Sequence, residues 1–131
     1  MFVLVGFCCS AAFGQVKNNS IRGRLKLDLD QGSVRSTTAG SSVEWDCVNK
    51  ALTRKCIVYH NDQWFEFTVP VRGRYFINVS AQQCTDNLGV QAIVIEGNPC
   101  EIATYRILRC INRIRREDAY IQMDSLRPGI S

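Results

Sequence analysis

Apolar residues along this chain recur in short bursts with a period near two, and no 3.6-residue helical rhythm persists. Trp64-Phe65-Glu66-Phe67-Thr68-Val69 is dense in aromatic and β-branched residues, the composition of a strand. Arg74 to Ser80 follows the turn-like Val71-Arg72-Gly73, so the two runs predict a central hairpin. In the second run Tyr75, Ile77 and Val79 share one face, and Phe76, Asn78 and Ser80 share the other. Val90 to Gly97 is apolar on both faces, which predicts a strand covered from both sides. Thr104–Ile111 and Ala119–Met123 follow as further strands. Turn signals at Asp86-Asn87-Leu88-Gly89, Gly97-Asn98-Pro99 and Glu117-Asp118 separate these elements. Short strands at this spacing predict an all-β, antiparallel fold, a β-sandwich of jelly-roll-like form.

The N-terminal third reads differently. Met1 to Gly14 carries no charge, and Phe2 to Phe13 has the length of a signal-peptide core. Ala12 and Gly14 lie three and one residues before Gln15, which predicts a signal peptide over 1–14 with cleavage after Gly14. The basic start of such a segment is missing, and the alternative is a buried N-terminal strand. Gln15 to Ser42 contains no Cys, Trp, Tyr or Phe and ends in the polar SVRSTTAGSS, so it reads as an extension and linker ahead of a domain over 43–131. Within it, Ile21, Leu25, Leu27 and Leu29 can share one strand face. Asp28, Asp30 and Gly32 resemble the start of a calcium loop, but the remaining oxygen ligands and the distal Glu are lacking. A solvated turn is the better reading, and no metal or other cofactor is expected.

Composition narrows the class. A chain of 131 residues, 46% hydrophobic and 21% charged, is long enough for one domain with its own core. A net charge of +4 is too mild to argue for nucleic acid. No run approaches the ~20 apolar residues that a membrane-spanning helix needs. Removing the leader leaves Cys47, Cys56, Cys84, Cys100 and Cys110 of the seven cysteines. In an exported protein this density reads as disulfides. With no C-x-x-C and His60 the only histidine, a structural zinc site has little support. Any one of the five can be the odd cysteine, and the other four can pair in any of three ways. Local bridges Cys47–Cys56 and Cys84–Cys100 are feasible, which leaves Cys110 unpaired.

No catalytic residue stands out. His60 and Asp62 are near each other, but no serine sits in a G-x-S-x-G turn. Candidate carboxylate pairs among Asp62, Glu66, Asp86, Glu96 and Asp118 are what any β-protein offers. Binding chemistry is better represented. Trp64, on the face opposite Phe65, is either core or a platform on which a sugar ring stacks. Arg106, Arg109, Arg113, Arg115 and Arg116 form a basic group. Read as a strand, Arg109 and Arg113 share a face with Tyr105, placing charge beside an aromatic as a sulfated or uronic-acid polysaccharide would require. The plainer alternative is a solvated, arginine-rich face.

A distributed set of turns, aromatics and cysteines carries a family resemblance. It comprises Asp62-Gln63-Trp64-Phe65-x-Phe67, Gly73-x-Tyr75-Phe76-Ile77-Asn78, Gln83-Cys84-x-Asp86 with Gly89-Val90-Gln91, Ile95-Glu96-Gly97-x-Pro99-Cys100, and Tyr105 through Cys110. Over Asp46 to Gly129 the chain resembles β-sandwich domains of large secreted Bacteroidetes proteins, akin to the pre-peptidase C-terminal type. The resemblance implies a non-catalytic exported module beside adhesive or hydrolytic domains of the same polypeptide. The expected location is secreted or cell-surface, and the expected partner an extracellular polysaccharide or cell-surface glycan. A structural spacer attached to a secreted hydrolase is the alternative role. The resembling domains continue past the Leu-x-x-Gly turn into another strand ending near a cysteine. The resemblance therefore implies a sandwich lacking its last strand, with the partner of Cys110 in that strand.

Overall fold

The computed structural model describes residues 2–6, 17–30, 32–47, 56, 61–83, 89–101, 103–115 and 118–129. Seven strands and one 3-10 turn, Ile21–Gly23, lie among them. The strands are β1 (Phe2–Gly6), β2 (Leu25–Lys26), β3 (Asp62–Glu66), β4 (Gly73–Val79), β5 (Val90–Glu96), β6 (Arg106–Arg115) and β7 (Ala119–Leu126). They form a five-stranded sheet of order β2-β3-β1-β5-β6 and a two-stranded sheet of β4 and β7. Every pair is antiparallel except β2 with β3. The fold is all-β, with two sheets packed on each other.

β5 explains the layering. Val90 through Ile95 are all buried, and the strand pairs with β1 on one side and β6 on the other. A strand apolar on both faces needs cover on both faces. Val90, Ala92 and Val94 meet Phe65, Phe67, Val69, Ile121, Met123 and Leu126, the core between the sheets. Ile93 and Ile95 meet Trp64, Ile21, Cys47 and Cys56 on the other face.

The expected central hairpin does not form. β3 belongs to the large sheet, while β4 pairs with β7 in the small one. The chain crosses between sheets through Phe67 to Pro70. Phe67 and Val69 fill the core, and Pro70 brings no N–H to a ladder. Alternation placed the strands; it does not encode which strands pair.

Residues 2–6 of the expected leader form β1. It lies in the middle of the large sheet, antiparallel to both β3 and β5, with Val3 fully buried. Residues 7–16 lie outside the described residues. The polar stretch read as a linker is exposed over 32–37 and packed at its end. Thr38, Ala39 and Ser41 are buried, and Gln63 donates through Nε2 to the Thr37 carbonyl. The Trp64 N–H donates to the Asn18 carbonyl at 2.9 Å, and β2 adds to the same edge opposite Phe65 and Glu66. The Asp28 turn is solvated, with Asp28 Oδ1 accepting the Asp30 N–H.

The disulfides correct the local pairing. Cys47 bonds Cys100 and Cys56 bonds Cys110, with sequence separations of 53 and 54. Cys110 is therefore bonded, and Cys47 and Cys56 do not bridge each other. Cys84 lies outside the described residues. Both bonds fasten the segment before β3 onto the β5–β6 half of the large sheet. Cys110 stands opposite Ile93, on the face that Trp64 and Ile95 share. Cys100 is held by the turn after Gly97, whose φ is +93°. A Cβ at Gly97 would meet the Thr104 carbonyl oxygen at 2.0 Å, so only glycine fits. Non-reducing peptide mapping should recover Cys47–Cys100 and Cys56–Cys110. Loops of this length imply that each bond contributes about 4 kcal/mol, so reduction should lower the chemical denaturation midpoint sharply.

Candidate functional site

Of the four residues singled out for binding, Trp64, Tyr105 and Arg109 do not form one surface. Trp64 is 0% exposed. Asp62 to Phe65 are buried on both faces of β3, and the Trp64 indole lies against Ile93 and Ile95. It is core, not a platform. Tyr105 is half-buried and packs on the same cluster. Arg109 points the opposite way. β6 shifts register between its pairings Ile107↔Ile95 and Arg109↔Val94, so Leu108 and Arg109 together oppose one residue of β5. The bulge reverses the alternation. Leu108 turns to the intersheet core, and Arg109 reaches β7, donating from Nε to the Gln122 carbonyl at 3.1 Å. The side chain of Arg113 lies outside the described residues.

An aromatic surface does exist, on the outer face of β4 and β7. Tyr75, Ile77 and Val79 pack inward, as do Ala119, Ile121 and Met123. Arg74, Phe76 and Asn78 of β4 and Tyr120, Gln122 and Asp124 of β7 face outward. Phe76 stands opposite Gln122, and Asn78 opposite Tyr120, so the two aromatics are diagonal neighbours. Their ring centroids are 5.3 Å apart at an interplanar angle of 27°. Phe76 is 49% exposed and Tyr120 58% exposed.

A polar network borders the pair. β7 bulges at Ser125, whose φ is +59°, between the pairings Gly73↔Leu126 and Tyr75↔Met123. Asp124 and Ser125 both fall opposite Arg74 as a result. Asp124 Oδ1 accepts from Arg74 Nε at 2.6 Å, and Gln122 Nε2 donates to both carboxylate oxygens at 2.9 and 3.1 Å. Gln122, then Arg74 and Arg109, hold the Asp124 carboxyl below the usual aspartate range. An open depression lined by Arg72, Gly73, Arg74, Asp124 and Ser125 adjoins it.

The sequence contained a signal for this surface. Phe76 is the aromatic on the otherwise polar face of β4, and Tyr120 holds the same position on β7. Among the described residues no group of three or more His, Cys, Asp or Glu is placed to hold a metal. His60 lies outside them. No protein-family model, curated protein or solved structure matches the chain.

On β3, Asp62 is the buried acid among the described residues. Its Oδ2 accepts the Glu44 N–H at 3.1 Å, and Glu44 Oε2 in turn accepts the Ile21 N–H at 2.6 Å. This relay ties the N-terminal segment to β3. Among the described residues Asp62 Oδ1 has no hydrogen-bond partner. Burial, against the partial relief of the Glu44 N–H, pushes the Asp62 carboxyl up to about 6. A carboxyl raised in the folded state binds its proton more tightly there than in the unfolded chain. The stabilisation it links to protonation is complete below pH 3.8 and is lost as pH rises through about 6. Thermal unfolding followed from pH 7 to pH 5 should therefore show a rising midpoint, and Asp62→Asn should flatten that rise.

Trp64→Ala should lower stability by ~3–5 kcal/mol, the cost of emptying a large core site. Chemical denaturation measures it, and a change below about 1 kcal/mol would return Trp64 to the surface.

Proposed function

We propose that this chain is a non-catalytic exported β-module that binds carbohydrate or mediates adhesion at a cell surface, within a larger surface or secreted protein. The observation that carries the reading is the Phe76–Tyr120 pair, stacked and half-exposed on a sheet face that folding does not require to be apolar. Aromatic rings held flat by a sheet offer apolar surface to the C–H face of a sugar ring. Asn78, Gln122 and the Arg74–Asp124 pair supply hydrogen-bonding groups at the rim for its hydroxyls. Rigid aromatics with adjacent polar groups are what an oriented ligand needs.

Export is supported by the two disulfides, which fit an oxidising compartment, and by the charge-free N-terminal run. No helix among the described residues is long and apolar enough to cross a membrane. The resemblance to Bacteroidetes modules of the pre-peptidase C-terminal type points to the same role, resting on the residues alone.

The test is retention on immobilised polysaccharides and on cell surfaces. Phe76→Ala with Tyr120→Ala should abolish retention while lowering stability by about 1–2 kcal/mol, the loss of the stacked pair on a half-exposed face and well short of unfolding. Retention unchanged in the double variant would overturn the reading.

A further inference from the structure

The groups around the aromatic pair go further than a generic sugar platform, and this step rests on the carbohydrate reading. We propose that the outer face of β4 and β7 selects an anionic polysaccharide, one that carries carboxylate or sulfate groups. Two arginines flank the aromatics, and each is fixed by its inner nitrogen. Arg74 is bonded through Nε to Asp124 at 2.6 Å, and Arg109 through Nε to the Gln122 carbonyl at 3.1 Å. Gln122 is the register partner of Phe76, so the carbonyl that anchors Arg109 belongs to the residue paired with the first aromatic. Among the described residues Arg74 makes no bond from its two terminal nitrogens. Arg109 uses one of its own in a long contact of 3.5 Å to the Leu108 carbonyl.

An arginine held in this way is a recognition element, not a loose charge. The planar fork matches the paired oxygens of a carboxylate or sulfate, and charge-assisted bonds to such groups are the strong ones. Fixing the fork before binding removes the ordering cost that a free side chain would incur. Asp124 does this positioning for Arg74. Gln122 donates to both of its oxygens, and its carboxyl lies below the usual range, which favours the ionised form that holds Arg74. Arg72 lines the adjoining depression and makes no ion pair among the described residues. Along β4, outward residues succeed each other by about 7 Å. Phe76 and Arg74 thus succeed each other along the outer face of β4, and Arg72, in the bend before the strand, lines the depression beyond Arg74, so successive units of a charged chain can lie across them. Among the described residues Asp124 is the acid that lines this depression, and it is already paired with Arg74.

The full chain would be tested by affinity electrophoresis in gels containing polygalacturonate, dextran sulfate or neutral dextran. Polygalacturonate or dextran sulfate should retard it, and neutral dextran should do so at least tenfold more weakly, since a charge-assisted pair is worth about that factor. Retardation by one acidic polymer alone identifies its anion. Arg74→Lys keeps the charge and loses the fork, and should weaken retardation about tenfold. Asp124→Ala makes the surface more positive yet releases Arg74. It should also weaken retardation, whereas attraction by net charge alone would strengthen it. Arg22→Gln, an exposed arginine elsewhere, should change little. Equal retardation by neutral dextran that Phe76→Ala abolishes would overturn the anionic selectivity and leave the platform standing. Stronger binding by Asp124→Ala, or no effect of Arg74→Lys, would overturn the fixed-arginine site. No retardation in any gel would remove both.

Discussion

The structure depends on β5 being buried from both sides. Six consecutive residues, Val90 to Ile95, have no face left for water, and their backbone groups are spent on β1 and β6. The sheet around them cannot stand as a single layer. One cover is the β4–β7 sheet, which presents Tyr75, Ile77, Val79, Ile121 and Met123. On the other face, Ile21, Cys47 and Cys56 are the apolar side chains from outside the sheet among the described buried residues. Ordering that segment has an unfavourable entropy. The two disulfides offset part of that cost by joining it to the β5–β6 half of the sheet it covers.

The same arrangement creates the exposed surface. A two-stranded sheet covers the core with one face only, so its other face is free of folding constraints. Polar residues would satisfy that face, and Arg74, Asn78, Gln122 and Asp124 do so. Phe76 and Tyr120 do not, although their stacking contributes up to about 1.5 kcal/mol to the sheet. Two half-exposed aromatics set diagonally within a polar face form an apolar patch with a polar rim, the pattern of a contact surface.

Local features of this fold were legible in the sequence, and non-local ones were not. β3 to β7 each overlap a run recognised from strand composition or alternation, because both are written into neighbouring residues. The inward and outward sets of β4 were readable for the same reason. Pairing partners were not, since nothing in residues 64–79 tells β3 and β4 to join different sheets. Single inserted residues did further damage. The bulge at Leu108 put Tyr105 and Arg109 on opposite faces, and the one at Ser125 aimed Asp124 at Arg74. Such an insertion looks like ordinary strand sequence until its partner is known. The cysteines failed by the same logic. Local spacing favoured short loops, while the fold brings together residues more than fifty positions apart. Trp64 was ambiguous because burial of β3 on both faces is a property of its neighbours in space.

The N-terminal run shows why some readings cannot be separated by composition. A signal core and a strand in the middle of a sheet make the same demand, a short charge-free apolar segment, because both pass through an environment that excludes charge. Phe2 to Gly6 meets it, and in the fold the segment pairs with Gly6↔Asp62 on one side and Gly6↔Gln91 on the other. A signal-peptide role for this run would compete with folding for the same five residues. A chain cleaved after Gly14 would open β3 and β5 along their facing edges and uncover the intersheet core where Val3 sits. Unpaired edges of that kind recruit another strand. With or without β1, the space between β3 and β5 has to be filled by an extended apolar segment for the β5 core to stay dry.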